Sequence, residues 1–392
     1  MAWFWQLLAL QFLRYLHKLL QKMKYYIIAG EASGDLHGAN LMKALYKEDP
    51  NANIRFWGGD LMQNVGGTLV KHYRDLAFMG FVEVLFHLRT ILNNIKICKK
   101  DIVDFQPDVL IFIDYPGFNL RIAKWAKPLG IKTHYYISPQ IWAWKESRIT
   151  EIKRDVDKMF VILPFEKDFY EKKHHFLVEF VGHPLIDAIH KHPAIDASVF
   201  RKENQLNEKP IIAILPGSRK QEITKMLSVM LSVVNDFPDY QFVIAGAPSQ
   251  EFSFYKDFIT QENIKFVSNK TYDLLSNATA ALVTSGTATL ETALFKIPEV
   301  VCYKGSWISY QIAKRIITLK YISLVNLIMD EEVVTELIQD DCNSKRIREE
   351  LKKITEPNYR QNLLEKYELL ELKLGGIGAS EKTAKLIVSD LK

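Results

Sequence analysis

Cysteine is scarce in this sequence. The three thiols, Cys98, Cys302 and Cys342, lie far apart and lack metal-ligand spacing. That excludes a disulfide-stapled scaffold and a zinc module, and fits a reducing compartment. No Ser-His-Asp order stands out, and no Asp-x-Asp pair closes a strand, so a metal-independent reaction without a cofactor is expected. Runs of Lys and Arg interleaved with aromatics are missing too, which argues against nucleic acid as a partner. The net charge of +5 over 392 residues is mild. It suits an anionic substrate or an anionic membrane surface. Apolar residues at 48% and charged residues at 25% are globular values, and the length suits two domains.

Acidic residues are absent from the first 22 positions, "MAWFWQLLALQFLRYLHKLLQK". Arg14, Lys18 and Lys22 recur every four residues, with Trp5, Leu8, Phe12, Leu16 and Leu19 on another face of the same helix. The uncharged part, Met1 to Leu13, is too short to span a bilayer, and a secretory signal's basic start and small-residue cleavage site are missing. Two readings stay open: an amphipathic helix lying on a membrane, or a start codon assigned upstream of Met23.

From Met23 the pattern is strand, loop, helix, repeated. Short β-branched or aromatic runs occur at 25–30, 109–114, 132–137 and 158–163, with helix-like segments such as 36–47, 119–127 and 165–173 between them. After a polar stretch at 190–210 the pattern restarts with runs at 211–215, 241–246, 278–284 and 299–303. Such alternation predicts parallel strands with crossover helices, in two α/β lobes joined near 185–205. Ligands bind such sheets beyond the carboxyl ends of the strands, so the loops there carry the functional reading.

Four of these loops stand out. "LIFIDYPGFN" (110–119) ends an apolar run on a carboxylate, Asp114, followed by Pro116 and Gly117. An unpaired buried carboxylate is costly, so Asp114 either does chemistry where the strand emerges or caps a turn. "LPGSRKQE" (215–222) offers Gly217 for close backbone approach, Ser218, a helix start and the Arg219 fork suited to phosphate. It lacks the Gly-Lys-Ser/Thr ending of a Walker loop. "TSGTATLE" (284–291) repeats that logic: Ser285, Gly286 and Thr287 can face an anion, and Glu291 one turn on can accept from a ribose diol. Together the last two suggest a nucleotide diphosphate site. "GEASGD" (30–35) lets a substrate sit against the backbone, and Ser33 or Asp35 can cap a helix. It is not a dinucleotide fingerprint. In "YYISPQIWAWK" (135–145) Trp142 and Trp144 read as packing residues before a sugar platform. "LAFMGFVEVLFHLRTIL" (76–92) reads as a buried helix or, for a lipid substrate, as a place for acyl chains.

Taken in order, "GEASGD", "MGFVEVL", "IDYPGFN", "GIKTHYYISPQIWAWK", "LPFEKDFY", "GHP", "LPGSR", "SGTATLE" and "YISLVNLI" resemble the lipid-A-disaccharide synthase family from about Met23 to Cys342. The resemblance implies a GT-B fold, two Rossmann-like lobes whose parallel sheets face an interlobe cleft. It implies an inverting hexosyltransferase that joins UDP-2,3-diacylglucosamine to 2,3-diacylglucosamine 1-phosphate (lipid X) through a β(1→6) bond and releases UDP. The partners implied are those two substrates and the inner face of the inner membrane of a Gram-negative cell, where the protein would be cytoplasmic and peripheral. Whether the chain forms a homodimer is left open. The same motifs also suit a UDP-sugar epimerase, a peptidoglycan-type transferase, or a non-catalytic lipid- or nucleotide-binding protein.

By the same resemblance Asp114 is the catalytic base. Arg219 meets the diphosphate, with Gly217, Ser218, Ser285, Gly286 and Thr287 along it. Glu291 takes the ribose, and Asn326 lies near the donor. Gly30, Glu31, Ser33 and Asp35 border the acceptor, and Phe78, Met79, Phe81, Val82, Leu85 and Phe86 meet membrane or acyl chains. The expected domains are an extension at 1–22, an acceptor-side lobe at 23–190, and a UDP-sugar lobe at 205–355. Helices at 356–392 are expected to pack back on the first lobe. Two positions depart from the family pattern: Gly117, where Asp is frequent, leaves Asp114 as the only candidate base of its motif, and Val325 stands where Pro is frequent.

Overall fold

The computed structural model describes residues 22–76, 88–247, 250–305 and 319–392. The amphipathic extension and the candidate acyl contacts Phe78, Met79, Phe81, Val82, Leu85 and Phe86 lie outside these residues. The chain forms two compact units.

The first unit comprises residues through Ile162, then Glu166–Val181 and Gly378–Lys392. Its strands are β1 (Lys24–Ala29), β2 (Asn53–Gly58), β3 (Thr68–His72), β4 (Val109–Ile113), β5 (Lys132–Tyr136), β6 (Lys158–Val161) and β7 (Glu179–Phe180). They pair in parallel in the order β3-β2-β1-β4-β5-β6-β7. Because helices cover both faces, β4 (VLIFI) is buried along its whole length, as a central parallel strand must be. The helices that matter here are α1 (Ala32–Glu48), α2 (Asp60–Val65), α3 (Leu88–Phe105), α4 (Pro116–Ala126) and α5 (Ile149–Asp155). Polar tips on buried aromatics find partners. Trp57 Nε1 donates to Tyr26 Oη at 2.8 Å, and that hydroxyl donates to Asp101 at 2.8 Å, which also binds Arg55 Nε at 2.8 Å. These bonds tie β1 and β2 to α3.

The second unit comprises Leu163–Phe165 and Gly182–Ile377. Its strands β8 (Ile211–Leu215), β9 (Gln241–Gly246), β10 (Ile264–Ser268), β11 (Ala280–Thr284), β12 (Glu299–Tyr303) and β13 (Glu336–Ile338) are again all parallel, ordered β10-β9-β8-β11-β12-β13. Helices α6 (Lys220–Met230), α7 (Thr271–Asn277), α8 (Thr287–Leu294), α9 (Leu324–Met329), α10 (Ser344–Thr355) and α11 (Pro357–Lys373) belong to it.

The last helix, α12 (Ala379–Leu391), belongs to the first unit. Lys382 Nζ donates to Phe180 O at 2.6 Å, and Asp390 accepts from Lys132 at 3.1 Å and meets the buried His134 ring at 3.1 Å. The carboxyl-terminal stretch thus divides later than the sequence pattern suggests. Residues 356–377 stay with the second unit, where Lys296 pairs with Glu371 at 2.6 Å and Lys366 with Glu331 at 2.7 Å. The change of unit before Gly182 also precedes the expected boundary at 190, because Pro184–His190 already forms a helix of the second unit.

One core carboxyl lies away from solvent without a hydrogen bond among the described residues. Glu299, the first residue of β12, is fully buried, and neither carboxyl oxygen has a hydrogen bond among the described residues. Burial raises its pKa well above the carboxylate range. The folded state therefore keeps a proton that the unfolded chain releases above the ordinary carboxylate pKa of about 4.3. Stability is lost as pH rises from there toward the folded-state pKa, at up to about 1.4 kcal/mol per pH unit. Glu299→Gln should flatten that slope, so urea midpoints at pH 5 and pH 8 should differ less in the variant than in the wild type. Equal slopes in both would refute the assignment.

Candidate active site

In a doubly wound sheet the crossovers run opposite ways from two neighbouring strands, and a gap opens at their carboxyl ends. In the first unit those strands are β1 and β4. Gly30 and Glu31 follow β1, and Asp114 and Tyr115 follow β4. The strand expected over 109–114 ends at Ile113, and Asp114 (φ +44°) and Tyr115 (φ +49°) both turn left-handed. Each such non-glycine residue costs roughly 1–3 kcal/mol, so the surroundings must hold it. They do: Asn119 Nδ2 and Tyr135 Oη donate to Asp114 O at 2.7 and 2.6 Å, and Asp114 N–H donates to Tyr136 O at 3.3 Å. Pro116 then opens α4 with its φ already helical. The Tyr115 ring lies over Gly30, where a Cβ would collide with Tyr115 Cδ1 and Cγ, so only glycine fits.

Burial, followed by the negative charge of Glu31, pushes the Asp114 carboxyl up to about 6, while the Tyr115 backbone N–H works the other way. Asp114 does have a neighbouring carboxylate, then, though it comes from the end of β1 and not from its own motif. A Cβ at Gly117 would meet nothing within 4 Å, so that position borders open space. Glu31 is half-buried at the start of α1, and Ser33 is exposed in its first turn.

Asp35 needs a correction. Its carboxylate is buried and accepts from Gly59, Leu61 and Met62 N–H at 2.7, 3.0 and 3.1 Å. It caps α2 across the unit, so its oxygens are committed to structure and not to an acceptor.

In the second unit the diverging strands are β8 and β11. Beyond β8, Gly217 is left-handed (φ +102°), and the space a Cβ would need is filled by Glu222 Oε2. Ser218 N–H donates to that oxygen at 3.2 Å. An anion bound here has to displace the Glu222 contact, a feature the motif alone did not disclose. Arg219 is exposed at the amino end of α6 and has no ion pair among the described residues. Beyond β11, Ser285 Oγ donates to Ile322 O at 3.1 Å, while Gly286 and Thr287 are exposed where α8 begins. Glu291 lies one turn into α8. Tyr272 Oη, from α7, donates to its Oε1 at 2.9 Å, leaving Oε2 without a hydrogen bond among the described residues. Burial raises the Glu291 pKa, with the Tyr272 bond opposing.

Asn326 is the second correction. It is fully buried, its Nδ2 donates to Val334 O and Glu336 Oε1 at 2.8 and 2.9 Å, and its Oδ1 accepts from Val333 and Val334 N–H at 2.8 and 2.9 Å. Two donors and two lone pairs are an amide's whole capacity, so none is left for a donor substrate. Glu336 also accepts from Ile322 and Ser323 N–H, both at 2.9 Å. Asn326 thus knots the 322–336 segment, and Ser285 joins that knot to the end of β11. Val325 sits buried in α9 behind the Ser323 cap, so valine at this position still leaves the turn a defined shape.

Both sheets therefore have the Rossmann-like order and carry their candidate residues at the point where the crossovers diverge. Solved structures share the fold. UDP-GlcNAc 2-epimerase from Neisseria meningitidis, bound to UDP-GlcNAc, aligns with a TM-score of 0.63 at 14% identity over 94% of this chain and 99% of its own. The glycotransferase of kitacinnamycin aligns with a TM-score of 0.60 at 12% identity over 95% and 96%. The class is the GT-B fold of glycosyltransferases and sugar-nucleotide epimerases.

Sequence comparison narrows the class. Residues 25–387 match the family profile described as lipid-A-disaccharide synthetase. The lipid-A-disaccharide synthase of Syntrophus aciditrophicus (strain SB) is 40% identical over 376 residues, 93% of this chain and 97% of that one. The chain belongs to the lipid-A-disaccharide synthase family.

Asn326→Ala should act on stability before substrate. Removing the amide strands two buried backbone N–H groups at about 1–3 kcal/mol each. A lowered thermal midpoint with unchanged UDP affinity of the folded fraction is expected; weakened UDP binding at native stability would return Asn326 to the donor site.

Proposed function

We propose that this chain catalyses the reaction of its family: transfer of 2,3-diacylglucosamine from UDP to the 6-hydroxyl of lipid X, giving the β(1→6) disaccharide 1-phosphate and UDP. The observation that carries this reading is Asp114, a carboxyl at the divergence of β1 and β4 whose pKa of about 6 suits proton removal near neutral pH.

Asp114 takes the proton of the acceptor hydroxyl as that oxygen forms its bond to the anomeric carbon. The bond from that carbon to the diphosphate breaks on the opposite face, and UDP leaves with the electron pair, inverting the centre. Arg219 and the exposed amides opening α6 and α8 meet the developing negative charge on the diphosphate. The free Glu291 oxygen receives the ribose. Glu31 keeps the Asp114 carboxyl basic by its charge, and Gly30 lets Tyr115 lie flat beside the acceptor. No resident metal or cofactor enters this scheme.

Both substrates carry two acyl chains, so the reaction is placed at a membrane surface, the inner face of the inner membrane. Among the described residues no helix is long and apolar enough to cross a membrane.

The test is Asp114→Asn. The variant should bind UDP normally and lose about 10²–10⁴ in turnover, measured as UDP release that requires both acylated sugars. Full turnover by folded Asp114→Asn would sink the assignment.

A second measurement isolates Glu31. Removing its charge lowers the Asp114 pKa, so the acid limb of kcat/KM, near pH 6 in the wild type, should move to lower pH in Glu31→Gln. An acid limb that stays in place would remove Glu31 from that role.

A further inference from the structure

The loop that leaves β5 departs from beside Asp114. Tyr136, the last residue of β5, accepts the Asp114 N–H, and Tyr135 donates to the Asp114 carbonyl. The next residue, Ile137, is left-handed (φ +64°), a conformation rare for a β-branched side chain. Beyond it, one buried carboxylate from a later helix pins Ser138 and Trp142. Glu166 Oε1 accepts from Ser138 Oγ at 2.5 Å and Trp142 Nε1 at 3.1 Å, and its Oε2 accepts from Ile162 N–H at 3.1 Å. Trp142 is therefore a packing residue.

Trp144 is not. It is 47% exposed, and two cations lie over its ring: Lys145 Nζ at 4.5 Å and Arg148 Cζ at 5.7 Å from the centroid. The acid between them, Glu146, is drawn away by Lys173 at 2.7 Å and His174 at 2.9 Å. Neither Lys145 nor Arg148 has an ion pair among the described residues. Arg148 is half-buried, and its charge and that of Asp114 both reach the Tyr135 hydroxyl. The loop thus presents two cations without ion pairs among the described residues on an aromatic face, beyond the carboxyl end of the strand that neighbours β4.

We propose that Arg148 and Lys145, spread over Trp144, form the subsite for the phosphate monoester of the acceptor sugar. The Arg148 guanidinium supplies a planar fork that matches two phosphate oxygens, Lys145 adds a point charge, and the Trp144 ring fixes both side chains in place. This rests on the transfer reaction proposed above and names the group on which acceptor choice turns.

The test compares 2,3-diacylglucosamine 1-phosphate with the same sugar lacking its phosphate, at saturating UDP-sugar. In the wild type kcat/KM should favour the phosphorylated acceptor. Arg148→Ala should reduce that preference about 10–100-fold through KM for the acceptor, while KM for the donor holds. Lys145→Ala should reduce it less, and Arg148→Lys should restore part of it. An undiminished preference in Arg148→Ala overturns the proposal. Should Arg148→Ala fail to fold, Lys145→Ala carries the same comparison from an exposed position.

Two further arms separate the sources of failure. Equilibrium binding of the phosphorylated acceptor without donor counts against the subsite if wild type and Arg148→Ala bind equally, whatever the turnover. Absence of transfer by the wild type counts against the reaction itself. Sedimentation with phosphatidylglycerol vesicles addresses lipid phosphate: if Arg148→Ala loses only vesicle binding and keeps its acceptor preference, the cations serve the membrane and the subsite is refuted.

Discussion

Parallel strands can be joined only by crossovers, and a sheet wound in both directions must have two neighbours whose crossovers part. At that parting, strand ends meet loops with no helix packed over them. Both sheets here obey this constraint, at β1/β4 and at β8/β11, and nearly every residue with a chemical role in the proposed reaction lies within a few positions of one of the four strand ends. The rest of each unit holds those ends in place. β4 and β8, central in their sheets, are buried along their whole length.

The cost of using strand ends is concentrated polarity, and the two units meet it differently. In the first unit the strained Asp114–Tyr115 turn is held from its backbone: Asn119 and Tyr135 both bind the Asp114 carbonyl, which leaves the carboxyl to the Tyr115 N–H and to substrate. In the second, polar side chains tie loops together through both backbone and side-chain groups. Glu336 and Asn326 knot one loop, Tyr272 orients Glu291, and Glu222 lies where the space over Gly217 would otherwise be open.

The alternation of short apolar strands with helices was legible in the sequence, as was the position of each loop of interest, because glycine, proline and small residues mark strand ends directly. Partnership was not legible. "GEASGD" shows an acid after a strand, but whether Asp35 faces a ligand depends on α2, whose first turn meets it from 24 residues away. The family resemblance puts Asn326 of "SLVNLI" near the donor, and nothing local announces that Val334 and Glu336 fold back to fill its amide. Glu31 gave no local sign of acting on Asp114, since 83 residues separate them and only the pairing of β1 with β4 joins them. The division of the carboxyl-terminal helices likewise depends on contacts, such as Asp390 with His134, that no motif announces.

The charges around the first unit's gap form a consistent set. A base that works near neutral pH needs its carboxyl pKa raised, which burial and Glu31 accomplish. An opposite charge within about 4–6 Å would undo this by favouring the ionised form. Yet a phosphorylated acceptor needs cations close by. The β5 loop reconciles the two demands. Arg148 and Lys145 lean on the Trp144 ring instead of on Asp114, and the causes that set the Asp114 pKa include Glu31 but neither of these cations. The Tyr135 hydroxyl, which donates to the Asp114 carbonyl, feels the charges of both Asp114 and Arg148. Base and cations thus follow neighbouring parallel strands, β4 and β5, at the same end of one sheet.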